Sequence, residues 1–179
     1  MTSNSKKIAI ILTIMITALL WIFWLPGNLR QEQSEIIQKS HSLKFQDFSL
    51  PDLKGQSQSF AQWQGKVVLL NFWATWCPPC RYEMPDFVEV YDQYKDQNFV
   101  IIGVGTDDPA KIAKFVEQLN VSYPILVGGR EAMQISYQYG NHSGALPYSI
   151  IFDQQGNIRY RAGGMMTKKQ LLAQIKPLL

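Results

Sequence analysis

An uninterrupted apolar run from Ile8 to Leu25 opens the chain, a polar stretch follows it, and from Phe45 onward the apolar positions fall into short separated blocks. The first run is about as long as a helix needs to cross a bilayer. Lys6 and Lys7 precede it, and Trp21-Ile-Phe-Trp24-Leu-Pro26 closes it with bulky residues where a signal peptidase needs small ones. Of the two readings, a cleaved signal peptide and a retained anchor, the pattern favours a signal anchor over residues 1–25. The positive charges before the run place the N-terminus in the cytoplasm, with Trp21 and Trp24 at the far interface and the bulk of the chain outside. Residues 26–43, rich in Gln, Ser, Glu and Lys, read as a tether. His41 lies in it and reads as a solvated linker residue.

The remaining blocks describe one domain over residues 44–179. Phe45 to Leu53 alternates weakly, Lys54-Gly55-Gln56 turns the chain and Ser57 to Phe60 returns, which predicts a small hairpin. Gln62 to Gly65 connects to Val67–Trp73, a nearly continuous apolar run expected of a strand buried on both faces. Pro78 and Pro79 open a helix, at positions whose N–H groups have no partner within the helix. Met84, Phe87, Val88, Tyr91 and Tyr94 give it an apolar stripe, and Pro85 inside the pattern predicts a kink. Phe99 to Val104 is a second buried strand. Asp107 or Asp108 caps a helix opened by Pro109, with Ile112, Phe115, Val116 and Leu119 on its inner face. A short extended segment from Tyr123 to Val127 and a helix around Arg130 to Tyr139 follow.

Tyr148 to Phe152 and Ile158 to Ala162 read as a hairpin around Asp153-Gln-Gln-Gly156-Asn157. Thr167 with Gln170 forms a capping box for a last helix whose inner face carries Leu171, Leu172, Ile175 and Leu178. The order is a β-hairpin, then β-α-β-α, then β-β-α. A parallel crossover followed by an antiparallel hairpin predicts an α/β fold with a mixed central sheet covered by helices on both faces.

Charge changes this picture little. At 179 residues the chain has a formal net charge of +3, and no dense Lys/Arg patch interleaved with aromatics points to nucleic acid. Cysteine usage changes it decisively. Cys77 and Cys80 are the only two cysteines, they are separated by two prolines, and they fall where the buried strand gives way to the helix. A helix N-terminus stabilises a thiolate, and the thiolate is the nucleophile of disulfide exchange. The spacing places Cys80 within reach of a mixed disulfide at Cys77, so Cys77 attacks and is the more exposed while Cys80 resolves and is the more buried. A zinc half-site would need two further ligands, for which the chain offers only His41, His142 and carboxylates. A purely structural disulfide across one turn closes too short a loop to stabilise much. Trp63 reads as a packing residue.

The segment Val67-Val-Leu-Leu-Asn71-Phe-Trp-Ala-Thr-Trp76-Cys77-Pro78-Pro79-Cys80-Arg-Tyr-Glu83-Met-Pro85 resembles the active-site segment of thioredoxin-fold proteins. It is most similar to the membrane-anchored, extracytoplasmic thiol–disulfide oxidoreductases of TlpA/ResA/CcmG type, and the likeness runs from about Phe45 to the C-terminus. The resemblance implies a thioredoxin fold with an N-terminal hairpin extension and a redox-active Cys77–Cys80 disulfide as the only redox group, with no further cofactor and no metal. It also implies that Leu146-Pro147 is the family's cis-proline peptide facing the cysteines. The backbone of Leu146 is then free to pair with an extended substrate. Trp76 matches the tryptophan that flanks the reactive sulfur. Glu83 matches an acidic residue placed near the pair, where a carboxylate of raised pKa would accept the proton of Cys80; spacing alone reads it as a solvated surface glutamate.

Two positions depart from thioredoxin. Asn71 stands where thioredoxin has a buried aspartate, so that proton route is missing and Glu83 or water must serve. Pro78 removes an amide that could face the Cys77 thiolate, which predicts a reducing pair. His142, five residues before Pro147, is a candidate neighbour of the sulfurs. By resemblance the substrates are disulfides of exported proteins, apocytochrome c among them, and the electrons come from a DsbD/CcdA-type membrane donor. Two other functions compete. A thiol peroxidase would place its cysteine in a Pro-x-x-x-Thr/Ser-x-x-Cys context, which is absent; a copper-delivery chaperone would use Cys-x-x-x-Cys with a distal His, one residue longer than the spacing here.

Overall fold

The computed structural model describes residues 44–179 and, in the N-terminal segment, Met15 alone, which is helical. The expected anchor (1–25), the tether (26–43) and His41 lie outside the described residues. Among the described residues no helix is long and apolar enough to cross a membrane.

Two short strands, β1 (Ser49–Pro51) and β2 (Ser57–Ser59), pair antiparallel and lead into a 3-10 turn over Phe60–Trp63. The paired part is shorter than the alternation suggests, because Asp52 takes over the turn: its carboxylate accepts from the backbone N–H groups of Lys54 and Gln56. The main sheet follows. It contains β3 (Val67–Trp73), β4 (Phe99–Gly105), β5 (Ile125–Val127), β6 (Tyr148–Phe152) and β7 (Ile158–Gly163), in the order β5-β4-β3-β6-β7. β3, β4 and β5 are parallel; β6 runs antiparallel to β3 and β7 antiparallel to β6. Four helices complete the unit: α1 (Pro78–Tyr94), α2 (Pro109–Gln118), α3 (Gly129–Gln138) and α4 (Lys168–Ile175).

The position of β3 explains its unbroken apolar run. Side chains alternate across a strand, so Val67, Leu69 and Trp73 enter one core with Phe87 of α1, Phe115 of α2 and Leu171 of α4. Val68, Leu70 and Phe72 enter the other with Ala132 and Ile135 of α3, Leu50 of β1 and Phe60. The hairpin extension therefore roofs the second face. Its Phe60 ring stacks on Phe45 at 4.2 Å and on Phe48 at 4.6 Å between centroids. An isolated bridge from Asp52 to Leu126 lays the hairpin along β5, covering an edge that would otherwise present unpaired backbone groups.

Several local expectations are refined. Helix α1 continues as one element across Pro85. Its buried stripe includes Glu83 and Val90, while Val88 and Tyr91 are half-buried at its margin. Asp108, not Asp107, caps α2 by accepting from the N–H groups of Ala110 and Lys111. The capping box of Thr167 and Gln170 is formed at α4.

Candidate active site

The strand-to-helix junction places the cysteines. β3 ends at Trp73 in the middle of the sheet, and Cys77 is the N-cap of α1, so Cys80 lies in the first turn. The two sulfurs are bonded as a disulfide with Cα atoms 5.4 Å apart. Cys77 is 3% exposed and Cys80 is fully buried. The order of exposure is as the spacing predicts, but the difference is small. The exposed group beside the disulfide is Trp76, at 69%. Pro78 is exposed and Pro79 half-buried. Neither proline carries an N–H. The Arg81 N–H bonds to the Cys77 carbonyl, which leaves the Cys80 N–H, 3.3 Å away, as the helix amide on the Cys77 sulfur.

The loop before the disulfide is stapled to the loop after β4. Thr75 donates both its backbone N–H and its hydroxyl to Asp107 Oδ2. In return Thr106 donates its N–H at 3.0 Å and its hydroxyl at 3.1 Å to the Trp73 carbonyl. Asp107, a candidate cap in the sequence, thus holds the approach to the cysteines. The Asp107–Thr75 contact joins residues 32 positions apart, and no local pattern announces it.

Leu146-Pro147 is a cis peptide. Pro147 is buried just before β6, and Leu146 is half-buried against both cores. His142 packs edge-on against Tyr137, 4.7 Å between ring centroids. It lines a surface groove of about 600 Å³ with Arg130, Met133 and Tyr137, none of them a residue of the cysteine turn.

Glu83 lies one helical turn beyond Cys80, on the same face of α1, and is only 1% exposed. Of the two readings of this residue, the solvated one is excluded. Its Oε1 accepts from Asn71 Nδ2 at 2.9 Å and its Oε2 from the Met166 backbone N–H at 2.8 Å. Burial pushes the carboxyl from its ordinary 4.5 up to about 7, and the two hydrogen bonds offset part of that rise. Tyr123 is buried nearby; burial, with a smaller push from the Glu83 charge, raises its phenol well above the usual range. Asn71 spends its second N–H on Ser149 Oγ at 3.0 Å. Its Oδ1 is buried with no hydrogen-bond partner among the described residues. Ser149 and the Met166 amide were invisible to sequence reading. Asn71 and Ser149 are cross-strand partners in the β3–β6 register, and the sheet, not sequence proximity, brings them together.

A disulfide at a helix N-terminus, a flanking exposed indole and a buried carboxyl poised near neutrality form a site suited to thiol–disulfide exchange. Comparison with known proteins points the same way. The family described as AhpC/TSA matches residues 42–161. The thiol-disulfide oxidoreductase ResA of Geobacillus kaustophilus (strain HTA426) is 36% identical over 135 residues, covering 73% of this chain and 75% of that protein. The ResA of Geobacillus thermodenitrificans (strain NG80-2) is 38% identical over 135 residues with the same coverage. Among solved structures, a thiol:disulfide interchange protein of the thioredoxin family from Chlorobium tepidum TLS superposes with a TM-score of 0.69 at 26% identity, covering 76% of this chain and 96% of that one.

Proposed function

Because the chain belongs to the AhpC/TSA family and is a thiol–disulfide oxidoreductase of the ResA type, we propose that it is an extracytoplasmic reductase of disulfides in exported proteins. It is held at the membrane by residues 1–25, with its N-terminus in the cytoplasm. The haem-site cysteines of apocytochrome c are the proposed target, and a dithiol of a DsbD/CcdA-type membrane protein is the proposed donor.

The cycle starts from the dithiol. The Cys77 thiolate attacks one sulfur of the substrate disulfide; a Cys77–substrate S–S bond forms, and the other substrate sulfur leaves as a thiolate that takes a proton. Cys80 then gives its thiol proton to Glu83. The resulting thiolate attacks the Cys77 sulfur, the Cys77–Cys80 bond forms, and the second substrate sulfur leaves. The substrate has gained two electrons and two protons; the donor dithiol returns the same to the protein and is itself oxidised. An extended substrate lies along the Leu146 backbone, beside Trp76.

The observation that carries this reading is Glu83: a buried carboxyl one turn from Cys80, with its pKa raised to about 7, matches a proton acceptor for the resolving thiol. The reducing direction is supported by the two prolines, which leave the Cys80 amide to face the Cys77 sulfur and so stabilise its thiolate weakly. Two measurements test the reading. Equilibration against redox buffers is expected to give a potential well below the roughly −120 mV of the strong oxidant DsbA; a value near that figure refutes the reducing role. Cys80→Ala is expected to accumulate mixed disulfides through Cys77. If Cys77→Ala alone traps partners, the two cysteine roles are reversed.

A further inference from the structure

We propose that Ser149 is a positioning residue for Glu83, acting through Asn71: the Ser149 hydroxyl takes the second hydrogen of the Asn71 amide and so holds in place the N–H that faces the carboxyl. The functional meaning of this rests on Glu83 as the proton acceptor for Cys80.

Asn71 Oδ1 is buried and orphaned among the described residues. A buried acceptor without a partner costs on the order of 1–3 kcal/mol, so the orientation that strands it needs a cause. An ionised carboxylate only accepts, so Glu83 Oε1 at 2.9 Å selects Nδ2 on its side. That alone uses one of the two amide hydrogens and leaves the side chain free to swing about it. Ser149 Oγ at 3.0 Å takes the second hydrogen. Two acceptors on two different elements, α1 and β6, then define the amide plane. The antiparallel register sets Asn71 directly opposite Ser149, and the alternation that sends Leu69 and Ile151 into the α1-side core sends these two side chains to the same face. Glu83 Oε2 is pinned separately by the Met166 amide from the β7–α4 loop. The carboxyl is thus held directly from the central strand and from the loop beyond β7, and through Asn71 from β6. Ser149 lies two residues after Pro147, so the strand that follows the proposed substrate-pairing backbone also steadies the proton acceptor.

Tyr123 from the β4–β5 connection feels the Glu83 charge, and Cys80 lies one turn before Glu83 on its own helix; Asn71, Ser149 and the Met166 amide are uncharged. In the disulfide form the cysteines do not titrate, so the experiment is done on the oxidised full-length chain in detergent micelles. Glutamate is labelled with carbon-13 at the side-chain carboxyl, and Glu83→Gln identifies the signal. Asn71→Ala is expected to move the Glu83 midpoint up by about one pH unit, a tenfold rise in proton affinity, because the charged form loses a donor. Ser149→Ala is expected to move it in the same direction by part of that amount, and Ser149→Thr to return it to the wild-type value. Ser149→Val, the shape of the threonine variant without its hydroxyl, gives the same upward shift should the alanine variant fold poorly. Midpoints for Ser149→Ala and Ser149→Val that superpose on wild type overturn the proposal, whatever Asn71→Ala does. The catalytic reading fails separately: if Glu83→Gln resolves the mixed disulfide at the wild-type rate with the wild-type pH profile, Glu83 is not the proton acceptor, while a shifted midpoint in the serine variants still stands.

Discussion

Glu83→Gln should make the protein more stable relative to wild type as the pH rises, although it removes a charged group that makes two hydrogen bonds. In the unfolded chain the Glu83 carboxyl ionises near its ordinary 4.5; in the fold it ionises near 7. Between these values the unfolded state has released a proton that the folded state still binds, so unfolding becomes easier as pH rises. The favourable contribution of the protonated group is complete below 4.5 and lost as the pH passes through about 7. At about 1.4 kcal/mol per pH unit, the full interval amounts to about 3 kcal/mol, a large part of the stability of a domain of this size. Glutamine does not titrate. It keeps a carbonyl oxygen for the Met166 amide, and its NH₂ can meet Asn71 Oδ1 once that amide turns over. Equilibrium urea unfolding of both proteins, followed by tryptophan fluorescence from pH 4.5 to 8.5, should show the difference in unfolding free energy moving by about 3 kcal/mol in favour of the variant. Most of the change should fall below pH 7. Parallel pH profiles would refute the reasoning, because they would mean that Glu83 ionises alike in both states.

Two further substitutions test the frame around the site. Asp107→Ala releases both the N–H and the hydroxyl of Thr75 and should cost about 1–3 kcal/mol in urea unfolding; Asp107→Asn, which keeps an acceptor for Thr75, should cost less, and equal losses would argue against the staple. Gly103→Ala puts a Cβ 2.7 Å from Ile125 Cδ1, 3.1 Å from the Tyr123 ring and 3.2 Å from Trp73 Nε1. Crowding between the two central strands and the Glu83 neighbourhood should destabilise by about 1–3 kcal/mol, and a wild-type unfolding midpoint would show that β5 yields more easily than its packing suggests.

Much of the architecture was legible because it is written locally. Unbroken apolar runs marked β3, β4 and β6, since strands covered on both faces have no polar side to show. The two prolines after Cys77 marked the start of α1, and Thr167 with Gln170 marked the start of α4. The cysteine pair was legible for the same reason: its spacing and its place after a strand carry the chemistry without knowledge of anything distant. One alternative was overruled by a tertiary contact: of the two candidate caps of α2, Asp107 instead serves a loop from another part of the chain.

The amino-acid sequence by itself determined a strand, a Cys-Pro-Pro-Cys turn and a helix, and with them the possibility of disulfide exchange. Whether that helix carries a working proton acceptor was a tertiary decision. A glutamate three residues after a cysteine is equally at home on a solvated helix face. Only when α1 packs over the sheet does Glu83 turn inward, lose its water and find Asn71, bridged to Ser149, and the Met166 amide in its place. Burial raises the carboxyl pKa and the partners restrain the rise, and both depend on elements that meet only in the folded chain.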